Sequence, residues 1–530
     1  MSTFAPTQPA ASRASRAWSG RRRWPLVSGT GAAIAAALVL LPLAFLVVQA
    51  QQSGWGEVQR LLLRHSVAVL LWNTLRLTAA CTVLCAVIGV AAAWCVERTV
   101  LPGRRLWAVA LVLPFGIPDF VVGFSWVSIA PGLHGYLAAV MIMTLSLYPL
   151  VYLPARTALA NADAGLEETA RSLGLGPWQT FARITLRQIW PAVLGGCLLV
   201  TLGLLAEYGA FEIVQYQTFT VAIFTEFKLG FDTVAACALS LVLVLLSIAV
   251  LGGELALGGR GRTSRSGPGV RRAPARLPLR RWTLPVLGCL VALCGVALGV
   301  PIGSLVYWML RGNSSTLPGT SLLSAVAHTA AFGAAAAGIA TALAVPVTAL
   351  TMRHRNRLTL LIERLAYLPM ALPGLVVALG LVSFSVRYAF ALYESSLELI
   401  VAYAILFLPL AIVGVRSAMG QSSARLEEVG RSLGVRPAAV WLRVTLPVIA
   451  PGLASAFALV FISSSTELTA TLLLRPTGVD TLATQFWSYT TAFSYGAAAP
   501  YAGMMVVISA VPAYLLSRRV STLARRRPDA

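Results

Sequence analysis

Long apolar runs dominate this chain and leave it few folds to choose from. Stretches of about twenty apolar residues, each long enough to cross the hydrocarbon core of a bilayer as a helix, fall near 25–50, 67–95, 106–129, 135–154, 192–211 and 232–256. A second set falls near 283–309, 322–351, 360–384, 397–415, 449–465 and 499–517. Only 11% of the 530 residues are charged, where a soluble domain carries about 25%. Lipid is therefore the solvent for most of the chain. The fold class expected is an all-α polytopic membrane protein of about 12 transmembrane helices in two six-helix halves.

The net charge of +22 raises the question of a nucleic-acid partner, and its placement answers against one. Lys228 is the only lysine, and the arginines crowd between apolar runs, as at Arg21 to Arg23, Arg271 and Arg272, and Arg525 to Arg527. Loops sharing a side with the N-terminus hold five arginines before residue 25, three at 98–105, four at 156–187 and eight at 260–281. The same side holds three at 353–357, five at 416–443 and five at 518–527, while opposite loops hold at most two basic residues each. Loop-confined arginine is the positive-inside bias that orients spans, and it places both termini in the cytoplasm.

Other compositional features carry less. The seven cysteines lie inside apolar runs and the four histidines are scattered, so the cysteines read as small buried residues and no metal site is expected. Arg13 to Arg23 followed by an apolar stretch looks like a signal peptide, but the stretch is too long and lacks a small-residue cleavage site, so an uncleaved first span is expected. Between the halves, Gly259 to Arg281 is rich in Arg, Gly and Pro and reads as a flexible linker near anionic headgroups, with a regulatory role as the alternative.

An internal repeat organises the chain. Leu166-Glu167-Glu168 and Arg171-Ser172-Leu173-Gly174 recur as Leu426-Glu427-Glu428 and Arg431-Ser432-Leu433-Gly434, at an offset of 260 residues. Leu166 to Pro191 matches Leu426 to Pro451 at 13 of 26 positions without a gap, and Arg156 matches Arg416, as Glu207 matches Glu467. Asn73-Thr74 aligns with His328-Thr329 at an offset of 255. The division expected is a basic tail at 1–24, a first span and loop at 25–68, and copy one at 69–256. A linker at 257–282, an extra span and loop at 283–323, copy two at 324–517 and a tail at 518–530 follow.

Identity concentrates in a polar loop, where packing alone gives no reason for it. Leu166 to Leu173 suits a short helix with acids near its N-terminus, where the helix dipole favours them. Gly174 and Gly434 are placed to end it in the left-handed C-cap geometry, and Pro177 and Pro437 to open a second short helix. The expected product is a helix–turn–helix lying on the membrane surface, its acids free to reach a partner.

At these residues the chain resembles the integral-membrane subunits of binding-protein-dependent ABC importers, whose loop signature is E-A-A-x-x-x-G-x9-I-x-L-P. Copy one reads Glu168-Thr169-Ala170, Gly174, Ile184, Leu186 and then Arg187 where proline is usual; copy two reads Glu428-Val429-Gly430, Gly434, Val444, Leu446, Pro447. The resemblance implies a permease of the prokaryotic inner membrane whose loops dock on two copies of a separate ATPase, with Glu167, Glu168, Gly174, Glu427, Glu428 and Gly434 as the coupling residues. It also implies an extracytoplasmic solute-binding protein. The chain has no Gly-x4-Gly-Lys-Ser/Thr loop for ATP phosphates, so it is expected to be no enzyme, with ATP and Mg held by the partner and no cofactor of its own.

Glu467-Leu468-Thr469-Ala470-Thr471 through Arg475-Pro476 is similar to the ferric-iron branch of these permeases, which implies iron as cargo, with thiamine, phosphonate or polyamine as alternatives. Glu207 and Glu467, paired by the repeat near span ends, and Asp119, which has no acidic counterpart because Gly374 stands at that place in the other half, are candidate pathway or docking acids. The alternative for Glu467 is a carboxylate bound to a helix end or to Arg475. A secondary transporter driven by an ion gradient would also suit twelve spans in two halves, but it gives no reason for a duplicated acidic loop.

Overall fold

The computed structural model describes residues 26–52, 54–258, 276–311, 319–354, 356–421, 427, 429–430 and 432–525. The basic tail 1–24, Glu428 and most of the linker expected at 257–282 lie outside the described residues. Helices make up the described fold, and an isolated parallel bridge joins Thr99 to Leu277. Helices satisfy their own backbone groups, which is what a lipid solvent demands.

Nine described helices are long and apolar enough to cross a membrane: Ser28–Gln49, His65–Arg98, Gly135–Ala160, Trp178–Ala206, Thr233–Gly253, Arg280–Arg311, Thr320–Arg353, Ser396–Gly420 and Trp441–Ser465. The final helix, Tyr495–Arg525, occupies the place of the twelfth expected span. The third and ninth expected spans are not straight. Arg104–Gly116 meets Asp119–Ile129 at 89°, and Arg357–Ala371 meets Gly374–Tyr388 at 108°. Pro118 and Pro373 cause both breaks, because a proline drives the residue before it out of the helical region. Ile117 and Leu372 are accordingly extended, at ψ 126° and 118°.

A second correction concerns the fifth span and its counterpart. The short helix expected after Pro177 is no separate surface element; it runs through a π-turn at Phe181–Thr185 into Leu186–Ala206. Ile189, Val193 and Val200 keep an apolar seam turned into the protein along that helix, so the span starts well before residue 192. It ends at Glu207, whose ψ of 135° leaves the helix. Beyond it, short helices at Gly209–Ile213 and Phe219–Lys228, with Thr469–Leu474 and Leu482–Thr491 in copy two, are packed inside the protein.

The halves are interlocked. The first span, Leu26–Gln52, packs on Gly374–Tyr388 and Thr320–Arg353 of copy two, while Val300–Arg311, which precedes copy two, packs on Asp119–Ile129 of copy one. The core built around Tyr148, Tyr152 and Phe124 takes in Phe486 and Tyr501 from copy two; the other core takes in Phe219 and Leu243 from copy one. The Phe486 ring lies 5.5 Å from that of Phe120 and 5.2 Å from that of Phe124.

Helices in lipid associate through close packing, which small residues permit. A Cβ at Gly196 would stand 2.8 Å from both the Leu150 carbonyl oxygen and the Val151 Cα. Backbone cannot yield as a side chain can, so Gly196→Leu is expected to destabilise the protein by at least about 1–3 kcal/mol. Gly195→Leu, where nothing lies within 4 Å, serves as the control. Thermal unfolding of both variants in detergent checks this, and equal stabilities would refute it.

Candidate functional site

The repeated loop forms a helix at Ala164–Ser172, opened by Asp163, whose carboxylate accepts the Gly165 N–H at 2.9 Å. Gly174 and Gly434 adopt φ of +84° and +76°, the left-handed region where a Cβ is penalised. The Leu175 N–H returns to the Ala170 carbonyl and the Val435 N–H to the Gly430 carbonyl, at 3.1 and 3.2 Å, which satisfies carbonyls the helix end leaves open.

The two adjacent acids of the loop part company. Glu168 is exposed, whereas Glu167 is buried. Arg98, the last residue of His65–Arg98, donates to both Glu167 oxygens at 2.8 and 3.3 Å, and the Thr185 hydroxyl donates to Oε1 at 2.8 Å. Copy two repeats this: Arg353 donates to the Glu427 oxygens at 2.5 and 2.7 Å and Thr445 to Oε1 at 3.0 Å. Glu167 and Glu427 therefore face the spans, contrary to the expectation that both loop acids are free for a partner. In copy one the two Nη groups of the guanidinium fork each meet one carboxylate oxygen, whereas in copy two Nη2 alone reaches both.

Apolar side chains instead accompany Glu168 at the surface. Leu173 is 78% exposed and Leu433 76%, at matched positions of the loop, and Trp178, in the short helix that follows the first, is exposed as well. Sequence reasoning named the acids and passed over these leucines, although both belong to the identical run.

Between the halves lies a cavity of about 420 Å³ that brings together Asp119 and Glu207 from copy one and Glu467 from copy two. Glu207 caps the short helix after it, accepting the Ala210 N–H at 2.7 Å. Glu467 accepts the Ala470 and Thr471 N–H groups at 2.9 and 3.1 Å. Of the two alternatives, the helix end is thus realised, and Arg475 pairs with Asp480 instead. Asp119 opens the limb after the Pro118 break and accepts the Ser146 hydroxyl. In copy two Gly374 takes that place, and a Cβ there would stand 2.9 Å from Glu467 Oε1. Among the described residues no three His, Cys, Asp or Glu side chains are grouped to hold a metal ion.

Asn73-Thr74 and His328-Thr329 hold the far ends of the second and eighth spans in matching ways. The Thr74 hydroxyl accepts the Phe219 N–H at 3.3 Å and Thr329 the Leu482 N–H at 2.9 Å. Asn73 donates to the Gln217 carbonyl at 3.3 Å, and His328 Nδ1 lies 3.0 Å from the Asp480 carbonyl. Each span therefore grips the buried helix that follows a cavity acid.

The family of binding-protein-dependent transport system inner membrane components matches residues 86–255 and again 334–526. The chain is 38% identical over 482 residues to the Fe(3+)-transport system permease protein FbpB 2 of Haemophilus influenzae, covering 90% of this chain and 95% of that protein. It is 27% identical over 257 residues to the sulfate transport system permease protein CysT of Escherichia coli, 44% of this chain and 92% of that protein. Against the molybdenum transport system permease protein ModB of Escherichia coli it is 29% identical over 188 residues, 31% of this chain and 82% of that protein.

Proposed function

The chain belongs to the family of binding-protein-dependent transport system inner membrane components, and from that premise we propose that it forms the translocation pathway of an ATP-driven ferric-iron importer. Two copies of a separate ATPase dock on the loop face, one at each loop, through Glu168 and Glu428 flanked by Leu173 and Leu433. Both termini and the linker lie on that face, in the cytoplasm. An extracytoplasmic binding protein delivers cargo to the opposite face, and ATP and Mg stay with the ATPase.

The observation that carries this reading is the cavity, where acids from both copies converge on one space between the halves. Carboxylates suit a hard cation and repel an oxyanion such as the sulfate named for one relative. A pathway also has to release what it takes up, so weak sites serve conduction better than a closed ligand cage. The full-length likeness to a protein named for Fe(3+) transport supports the same cargo.

Growth under iron limitation should depend on this chain, and ferric-iron uptake should fall roughly tenfold in the Glu207→Gln, Glu467→Gln protein, the effect of about 1.4 kcal/mol on a barrier. Glutamine removes the charge and keeps one carbonyl oxygen for a helix-end N–H, while at Glu467 its amide nitrogen replaces one of the two oxygens that accept the Ala470 and Thr471 N–H groups. If deletion abolished thiamine or phosphonate use and left iron uptake intact, the cargo assignment would be wrong.

A further inference from the structure

We propose that Arg98–Glu167–Thr185 and Arg353–Glu427–Thr445 are matched clamps that transmit movement of the loop helices to the walls of the cavity. This rests on the reading that the loops dock an ATPase. The three residues of each clamp come from three elements: the end of a long span, the loop helix, and the π-turn that leads into the next span.

What those elements reach at their other ends gives the clamp its meaning. Thr185 precedes Leu186–Ala206, and that helix ends on Glu207; Thr445 precedes Leu446–Ser465, which ends just before Glu467. His65–Arg98 carries Thr74, which holds the N-terminus of Phe219–Lys228, as Thr320–Arg353 carries Thr329 and holds Leu482–Thr491. One carboxylate therefore ties the loop helix to two rigid rods, and each rod ends on a segment adjoining the cavity or the interlocked cores. Helices resist bending far better than loops do, so a push at Glu167 is delivered as displacement at Glu207.

The repeat supplies an independent observation. Both clamps recur with the same residue types and the same pairings, arginine and threonine each donating to the glutamate, at an offset of 255 for the arginine and 260 for the glutamate and threonine. Their surroundings differ: in copy one Leu277 adjoins the pair and its N–H donates to the Arg98 carbonyl at 2.8 Å. Side-chain exposure is 4% for Arg98 and 9% for Glu167, against 42% for Arg353 and 13% for Glu427. Conservation of the bonds through this change of setting favours a mechanical role over a shared need for burial.

The test uses the full chain with its ATPase and a cysteine in place of Leu199 on the cavity wall, labelled with a membrane-impermeant maleimide. Trapping nucleotide on the ATPase with vanadate should change the labelling rate roughly fivefold or more, the lower range of a typical coupling between sites. In the protein carrying Arg98→Met, Glu167→Leu, Arg353→Met and Glu427→Leu, the ATPase should still co-purify and hydrolyse ATP while that change disappears. Apolar pairs of similar volume commonly keep such a site folded. Thr185→Val with Thr445→Val, a milder change, should weaken the response, and serine at both positions should restore it.

A response undiminished in both sets of variants overturns the clamps and leaves the docking reading intact. Loss of the ATPase from the clamp variants also overturns them, because the glutamates are then docking contacts. A wild-type chain that retains no ATPase removes the docking reading, and the clamps with it.

Discussion

Alanine at both Glu168 and Glu428 is expected to release the ATPase from the permease while leaving the permease in the membrane at normal abundance. Glu168 is exposed at the surface of its loop helix, and exposed substitutions commonly change stability by no more than about 0.5 kcal/mol. In a docking groove the balance differs. Truncating one partner of a buried charge pair costs about 2–5 kcal/mol of binding, much of it from stranding the other charge. Leu173 and Leu433, exposed on the same loops, would add buried apolar area to that docked contact. Co-purification of the ATPase, measured beside membrane abundance, decides the matter. A double variant that binds the ATPase and transports like wild type would remove these loops from the coupling mechanism.

Alanine at Glu167 should act by another route and on another quantity. It strands the Arg98 guanidinium, whose side chain is 4% exposed and whose Nε already has no hydrogen-bond partner. Breaking a buried pair from one side costs about 3–5 kcal/mol. The matching change at Glu427 should cost about 1 kcal/mol or less, because Arg353 is 42% exposed and water can take over its bonds. Thermal unfolding of the two single variants in detergent should separate them clearly. Equal losses would mean that the linker end at Leu277 does not shelter the first pair.

These two acids also mark where the sequence could and could not be read. Their neighbourhood was legible: the repeat isolates the loop, and the glycines at its C-caps take the left-handed conformation that their type suggests. Which of two consecutive glutamates faces inward was not. That depends on Arg98, which lies 69 residues from Glu167 in sequence, and no local pattern connects them. Apolar length found the spans but said nothing of their straightness. Pro118 and Pro373 sit inside runs whose hydropathy barely registers them, yet each turns the chain by about a right angle. The convergence of Asp119 with Glu207 and Glu467 on one cavity follows from those bends and from the meeting of the halves, neither of which a linear pattern contains.

The exchange of helices between the halves bears on how the chain is made. Phe124 is synthesised long before Phe486, the ring that packs against it; at about 5–20 residues per second the separation of roughly 360 residues takes about 20–70 s. Throughout that interval the amino-terminal half stands in the bilayer with a vacant face. The first span waits likewise for Gly374–Tyr388, where a Cβ at Gly380 would collide with the Pro42 backbone. Neither half can reach its final packing while it is the only one present. Ribosomes that stop early therefore leave a product recognisable as incomplete by its unfilled seams, and a single polypeptide guarantees that the helices needed to fill them arrive tethered, in equal number and beside the right partner.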